Sequence, residues 1–174
     1  DATTGVTDYQ ALVWNGSTWG NSMTLGSMNE TTNEGIAVEY EESGNQAVVV
    51  VSNGTGASFA WNSWNGSAWS GAATQADQDD FENGRLTRDV GTDNLALCSI
   101  DQDGQIKLFR WTGSSNSWNA YTTIDTVGNS KTGRPAGCIY ETTVGRDGYI
   151  MVPYSDTTNG RYQFWNGSAL SGEA

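Results

Sequence analysis

Short apolar segments, each followed by a polar turn, recur along the whole chain. In residues 36–41, Ile36, Val38 and Tyr40 fall on one side of an extended chain, and Glu39 and Glu41 fall on the other. This alternation is typical of a strand with one buried face. No window of ten or more positions carries apolar residues at helical spacing. The pattern therefore predicts an all-β protein with essentially no helix.

Three kinds of predicted strand follow one another in a fixed order. An alternating strand comes first, a strand that is apolar on both faces comes second, and an aromatic strand comes third. A strand that is apolar on both faces is expected in the middle of packed sheets. The alternating strands are 36–41, 85–90 and 136–141; the apolar strands are 46–52, 95–100 and 149–154; the aromatic strands are 58–64, 106–111 and 161–165.

A tryptophan motif ends each aromatic strand. Trp-Asn-Gly-Ser begins at Trp14 and Trp64 and, after a degenerate copy at Trp111, again at Trp165. Asn-Gly favours a two-residue type I′ hairpin, because both central positions of that turn need positive φ. We expect the tryptophans on either side of each turn to contact each other, and a longer hairpin at 112–116.

Units of about fifty residues with three or four short strands are typical of β-propeller blades. Residues 38–41, 47–52 and 59–69 resemble blades of uncharacterised secreted proteins of archaea and bacteria. The resemblance implies propeller-like antiparallel blades and no particular activity. We predict a single repeat domain, 1–174, with an extended N-terminal arm (1–8), a partial unit (9–34) and three full units (35–83, 84–132 and 133–174).

Composition and charge exclude some classes of binding partner. The chain has 22 Gly, 8 Trp and a net charge of −12, so it would repel nucleic acid and anionic membrane surfaces. The longest apolar run, 47–51, is far shorter than the ~20 residues of a membrane span. A chain that starts at Asp1 fits a processed protein, and we expect an extracellular, secreted or cell-surface location.

Catalytic chemistry has few candidates, so we predict that the protein is not an enzyme. There is no His to serve as the base for a Ser or Cys nucleophile. Cys98 and Cys138 fit either a reduced pair or a disulfide. Asp77, Asp79 and Asp80 are weak calcium candidates, and a solvated acidic loop is the alternative. We predict no other metal or cofactor.

Asparagine sequons and tryptophans are the remaining candidate sites. Asn29 and Asn53 are the better glycosylation candidates, because the other sequons lie in tight hairpins. The tryptophans form either a hydrophobic latch or stacking platforms for sugar rings. The hairpin sequons are Asn15, Asn65 and Asn166, and the tryptophans are Trp14, Trp19, Trp64, Trp69, Trp111, Trp118 and Trp165.

The N-terminal half unit leads to two functional hypotheses. It would expose an unpaired strand edge, and such edges pair with other chains. The first hypothesis is a structural subunit of an extracellular filament or surface assembly, in which copies join by strand pairing. The alternative is a carbohydrate-binding, lectin-like propeller module that binds glycans.

Overall fold

The structure is a computed structural model, and it describes residues 7–28, 35–53, 57–77, 79, 81–127, 136–156 and 158–172. The predicted N-terminal arm, except for residues 7 and 8, lies outside this part of the chain, as do Asn29 and Asp80.

The described residues form fourteen strands in four antiparallel sheets that follow chain order. Their only helix is a single 3-10 turn, Gly113–Ser115. The all-β prediction is therefore confirmed. The first sheet is β1 (Thr7–Trp14) and β2 (Trp19–Met28); the second is β3 (Ile36–Tyr40), β4 (Ala47–Ser52), β5 (Ser58–Trp64) and β6 (Ala73–Ala76); the third is β7 (Phe81–Arg88), β8 (Leu95–Asp101), β9 (Gln105–Thr112), β10 (Ser117–Trp118) and β11 (Thr122–Thr126); the fourth is β12 (Ile139–Tyr140), β13 (Ile150–Ser155) and β14 (Gly160–Trp165).

The central strands are the continuously apolar ones. Every residue of β4 and of β8 is buried. Each strand is paired on both sides, β4 with β3 and β5, and β8 with β7 and β9. Strands buried on both faces need apolar side chains at successive positions, which is what the sequence pattern predicted.

Three hydrophobic cores hold the sheets together, one between each pair of successive sheets. Leu25 of the first sheet packs with Val49 and Val51 of the second. Phe59 of the second packs with Phe109 of the third, and the third and fourth sheets share a larger core. The sheets therefore lie face to face in chain order, as propeller blades do, although a closed ring is not seen.

The Trp-Asn-Gly-Ser turns differ from the prediction. Gly16 has φ +98°, but Asn15 is not among the residues with positive φ, so the turn is not type I′. Instead the Asn15 side-chain oxygen accepts hydrogen bonds from the backbone N–H groups of Ser17 and Thr18, at 3.0 and 2.9 Å. Asn65 and Asn166 repeat this arrangement. Asparagine is used for its acceptor oxygen rather than for its tolerance of positive φ.

The third unit has the longer hairpin that its sequence predicted. The 3-10 turn and Asn116, which has φ 49°, connect β9 to β10. The predicted boundary between 83 and 84 falls inside β7, which begins at Phe81. In the described part of the chain, no helix is long and apolar enough to cross a membrane.

Candidate functional site

An acidic residue and a tryptophan recur at matching places in the sheets. The acids are Glu41, Asp89 and Glu141. Each directly follows the first strand of its sheet, and its backbone N–H donates to a carbonyl across the turn. The tryptophans end the aromatic strands and pair with the first residue of the apolar strand, as Trp111 pairs with Leu95. Successive sheets therefore bring the acid of one sheet towards the tryptophan of the next.

Between the second and third sheets the acid and the tryptophan are in direct contact. The Trp111 indole N–H donates to Glu41 Oε1 at 2.7 Å, and the Trp111 ring packs edge-on against Trp61 with centroids 5.0 Å apart. A Cβ on Gly44 would lie 2.0 Å from Glu41 Oε2, so a larger residue there would force the Glu41 carboxylate to move. Direct contact between the Trp111 indole and the Glu41 carboxylate therefore links the two sheets at this junction.

The Glu41 carboxyl group gives a prediction on pH dependence. Burial, together with the charge of Asp93, raises its pKa, and the hydrogen bond from Trp111 lowers it less. Because the pKa is higher in the folded than in the unfolded state, this group costs stability as pH rises through the folded-state pKa. Glu41→Gln keeps an acceptor for Trp111 and removes the charge. The stability of the variant relative to the parent should therefore be higher at pH 7 than at pH 4. Thermal unfolding at both pH values measures this difference, and an equal difference at pH 4 and pH 7 would contradict it.

Between the third and fourth sheets the equivalent junction is an open cleft of about 220 Å³. The Arg110 guanidinium carbon lies 4.4 Å from the centre of the Trp165 ring. The buried Arg110 Nε has no hydrogen-bond partner among the described residues. Asp89 lines the same cleft, and its carboxylate accepts a hydrogen bond of 2.9 Å from Thr92 Oγ1.

The lining of the cleft combines polar groups with a small apolar wall. Asn94, Thr112 and Asn119 supply amide and hydroxyl groups, and Ile150 and Tyr140 supply apolar surface. Burial, and next the charge of Asp89, raise the pKa of the Tyr140 phenol, which therefore stays protonated at neutral pH. The cleft is smaller than the roughly 300–1,000 Å³ of sites for drug-sized ligands. It suits one small polar ring with several hydroxyl groups, which would use both donors and acceptors.

The tryptophans do contact one another in pairs, as predicted. Ring centroids are 5.4 Å apart for Trp14 and Trp19, and 5.3 Å apart for Trp64 and Trp69. The rings of Trp111 and Trp118 are 5.5 Å apart. Trp64, Trp111, Trp118 and Trp165 are buried, which is the environment that a hydrophobic latch requires. Only Trp14 and Trp19 are widely exposed, and Trp69 is half-buried.

The asparagine sequons in the described chain lie at the surface or near it. Asn15, Asn65 and Asn166 are exposed in their turns, with the amide oxygen engaged as above. Asn53 is half-buried and donates to Ser58 Oγ at 2.6 Å. Glycosylation at these positions stays a prediction.

Of the weak calcium candidates, Asp77 and Asp79 belong to the described part of the chain and Asp80 does not. The Asp77 carboxylate is ion-paired with Lys107, a fully buried lysine that also lies 2.6 Å from Asp101 Oδ2. Asp79 is half-buried. Among the described residues, no group of three or more acidic, His or Cys side chains could hold a metal ion. Asp77 therefore has an internal cation as its partner.

Cys98 and Cys138 are neighbours, but both are free thiols and no disulfide joins them in the structure. The Cys138 thiol lies 3.5 Å from the carbonyl oxygens of Arg85 and Ala96, which can accept its hydrogen. Burial, and next the contact with Cys138, raise the pKa of the Cys98 thiol. Both features favour the reduced pair.

Sequence reasoning missed Arg110 and Asp89. Arg110 lies within the predicted aromatic strand of the third unit, at the position where the second unit has Ser63. A charged side chain is uncommon in a strand that packs between sheets, so this difference between the units was the available sequence signal for a site. Asp89 could have been found as the counterpart of Glu41.

Comparisons with known proteins show the fold. No protein-family profile and no curated protein matches the chain. Among solved structures, a variant of AofleA from Arthrobotrys oligospora with three arginines replaced by alanine is similar, with TM-score 0.57 and 13% identity over 80% of this chain and 40% of that one. AofleA itself has TM-score 0.53 and 13% identity over 78% and 39%. The SapL1 lectin in complex with alpha methyl fucoside has TM-score 0.51 and 20% identity over 78% and 44%. The aligned part of this chain is thus less than half of each neighbour.

Proposed function

We propose that this protein binds carbohydrate without catalysis, and that the cleft between the third and fourth sheets holds one sugar ring. The observation that carries the proposal is Arg110, whose buried Nε lacks a partner among the described residues and whose guanidinium faces Trp165 at the cleft. An unpaired buried donor is costly, and a sugar hydroxyl would satisfy it.

The remaining lining agrees with a sugar ligand. Asp89 can accept hydrogen bonds from hydroxyl groups, and Asn94 and Asn119 can both donate and accept. The similarity to a lectin solved with alpha methyl fucoside supports the same ligand class for this chain. We take α-methyl fucoside as the first ligand to test.

The filament hypothesis has less support as a function. SapL1, one of the similar solved structures, is described as a lectin, and the descriptions of AofleA and its variant do not mention a filament. Carbohydrate binding is therefore the better-supported function.

The test is titration calorimetry with α-methyl fucoside and a panel of other methyl glycosides. At about 0.3 kcal/mol per non-hydrogen atom, a ligand of about twelve atoms gains about 4 kcal/mol. This corresponds to a dissociation constant near ~1 mM. Arg110→Ala should weaken binding about 10- to 100-fold, because it removes a charged hydrogen bond worth about 1.5–3 kcal/mol.

Arg88→Ala is the matched control, because Arg88 belongs to the same sheet but pairs with Glu42 at 3.0 Å, away from the cleft. It should leave binding unchanged. Arg110→Lys should bind weakly, since lysine keeps the charge but loses the planar fork. Absence of binding by the parent for every glycoside, or full binding by Arg110→Ala, would refute the proposed site.

A further inference from the structure

A lysine and two aspartates meet in the interior between the second and third sheets. Lys107 belongs to β9, Asp101 ends β8, and Asp77 directly follows β6. All three side chains are completely buried. The Lys107 ammonium group donates to Asp77 Oδ1 and lies 2.6 Å from Asp101 Oδ2, and the centre of the Tyr121 ring is 4.9 Å from it. One amine therefore contacts two carboxyl groups in a place closed to solvent.

The fourth sheet has a simpler pair at the equivalent position. Strand register aligns Arg161 with Lys107 and Asp156 with Asp101. Arg161 is ion-paired with Asp156, and both side chains are partly exposed. A cation beside the acid of this turn is thus a repeated feature of the units, and it needs only one acid.

The third unit differs from this pair by a second acid from the preceding sheet. The backbone N–H of Asp77 donates to the Ala57 carbonyl, and the backbone N–H of Val127 donates to the Gly104 carbonyl in the same way. Val127 therefore stands at the next junction where Asp77 stands at this one. The extra carboxyl group accompanies a lysine, whose amine can be acylated, and the counterpart without it has an arginine.

We propose that Lys107 and Asp77 condense to an isopeptide bond, a side-chain amide that joins the third sheet covalently to the second. A bond forms between Lys107 Nζ and Asp77 Cγ, and the bond from Cγ to one carboxyl oxygen breaks. Two of the three ammonium hydrogens leave with that oxygen as water, and the third stays on the amide nitrogen. One positive and one negative charge disappear together, so the step needs no oxidant and no further reactant.

Asp101 is the residue that moves the protons. Its Oδ2 is near enough to Lys107 Nζ to accept a proton from it, which makes the amine a nucleophile. Its Oδ1 accepts a hydrogen bond of 2.8 Å from the backbone N–H of Gln105, which holds the carboxylate in position. Asp101 would pass each proton to the departing oxygen of Asp77 and finish as the carboxylate that it was at the start.

Burial and proximity favour the condensation over the ion pair. Groups held in contact react with effective concentrations of about 10⁵–10⁸ M. The amide product is neutral, so it removes the cost of keeping an ammonium and a carboxylate away from water. Ser99 lies opposite Lys107 on β8, and its buried hydroxyl has no hydrogen-bond partner among the described residues. This hydroxyl would donate to the oxygen of the new amide.

The mass of the intact protein tests the proposal. The folded chain is kept at neutral pH, then unfolded, reduced and weighed by mass spectrometry. Its mass should be lower than the mass calculated from the sequence by one water molecule. Trypsin does not cut after an acylated lysine, so digestion should yield the peptide that ends at Arg85 joined to the peptide 89–110.

Variants assign the bond to its residues. Lys107→Arg keeps the positive charge but should show the full calculated mass. Asp77→Asn should lose ammonia instead of water, because the amide nitrogen is then the leaving group. Asp101→Asn removes the proton carrier and should show the full mass. Asp103→Asn is the matched control, because Asp103 is exposed two residues further on, and it should lose water as the parent does.

Three results would overturn the proposal. The first is a folded parent chain with the full calculated mass. The second is a loss of water that persists in Lys107→Arg, since a cyclised aspartate elsewhere would then account for it. The third is a loss of ammonia by Asp101→Asn, which would place the bond on Asp101. Circular dichroism establishes that each variant folds, and the mass of the parent decides the question even where a variant does not.

Discussion

Replacing Lys107 with methionine should destabilise the protein by about 3–5 kcal/mol, the cost of removing one partner from a buried ion pair. Lys107 is fully buried and contacts two carboxylates, those of Asp77 and Asp101. Its ammonium group also lies 4.9 Å from the centre of the Tyr121 ring. Without the lysine, two buried acids would face each other with no cation between them. For a chain of this size we expect a loss of roughly 10–15 °C in melting temperature.

The pKa of Lys107 supports this expectation. Burial alone lowers it, but hydrogen bonds and charge interactions with Asp101 and Asp77 outweigh burial, and the net pKa is raised. The lysine is therefore charged in the folded protein at neutral pH, and its charge is compensated.

Matched variants separate lost charge from lost packing. The triple variant Lys107→Met, Asp77→Asn, Asp101→Asn should recover much of the stability, because no buried charge remains. Lys107→Met alone should also lose less stability at pH 4 than at pH 7, since protonation relieves the two carboxylates. Equal losses for the single and triple variants, measured by chemical denaturation, would show that packing rather than charge is responsible.

Phe59→Ala should cost about 3–5 kcal/mol, the usual range for deleting a large buried ring. Phe59 is fully buried and belongs to the core between the second and third sheets. It makes edge-on contacts with Phe109 at 5.0 Å and with Trp118 at 5.5 Å. The substitution leaves a cavity that rigid neighbouring strands cannot fill.

Phe59→Leu is the appropriate comparison, because leucine keeps much of the volume and loses the aromatic contacts. It should cost less than half as much as Phe59→Ala in denaturant unfolding. If the two variants unfold at the same denaturant concentration, the cavity is not the cause.

Several strands could be predicted from the apolar runs and the polar turns that flank them. β5 has the predicted bounds, 58–64, and β4 differs by one residue, since apolar runs flanked by polar turns leave little freedom. β12 was predicted over 136–141 but covers Ile139–Tyr140, because regular pairing with β13 is limited to these two residues, although Gly137 N–H also donates to Pro153 O. Such short pairing depends on neighbouring strands and cannot be read from local pattern.

The turn and the cleft were harder to predict. Trp-Asn-Gly-Ser fits a type I′ turn by composition, and only the geometry shows that Asn15 contributes its side-chain oxygen. Arg110 lies on β9 and Asp89 directly follows β7, both in the third sheet, whereas Trp165 comes from the fourth. A site formed between sheets depends on which faces meet, and one sequence does not specify that.

The separation of the interior into three cores has a consequence for how this chain tolerates change. Each core is made by two successive sheets, so a substitution alters the packing of its own unit and of the adjacent ones, and distant units are unaffected. The third unit illustrates this freedom: it replaced the Asn-Gly turn with a 3-10 turn, while the first, second and fourth units kept theirs. We therefore expect one unit to accept a changed turn without a change in the packing of distant units.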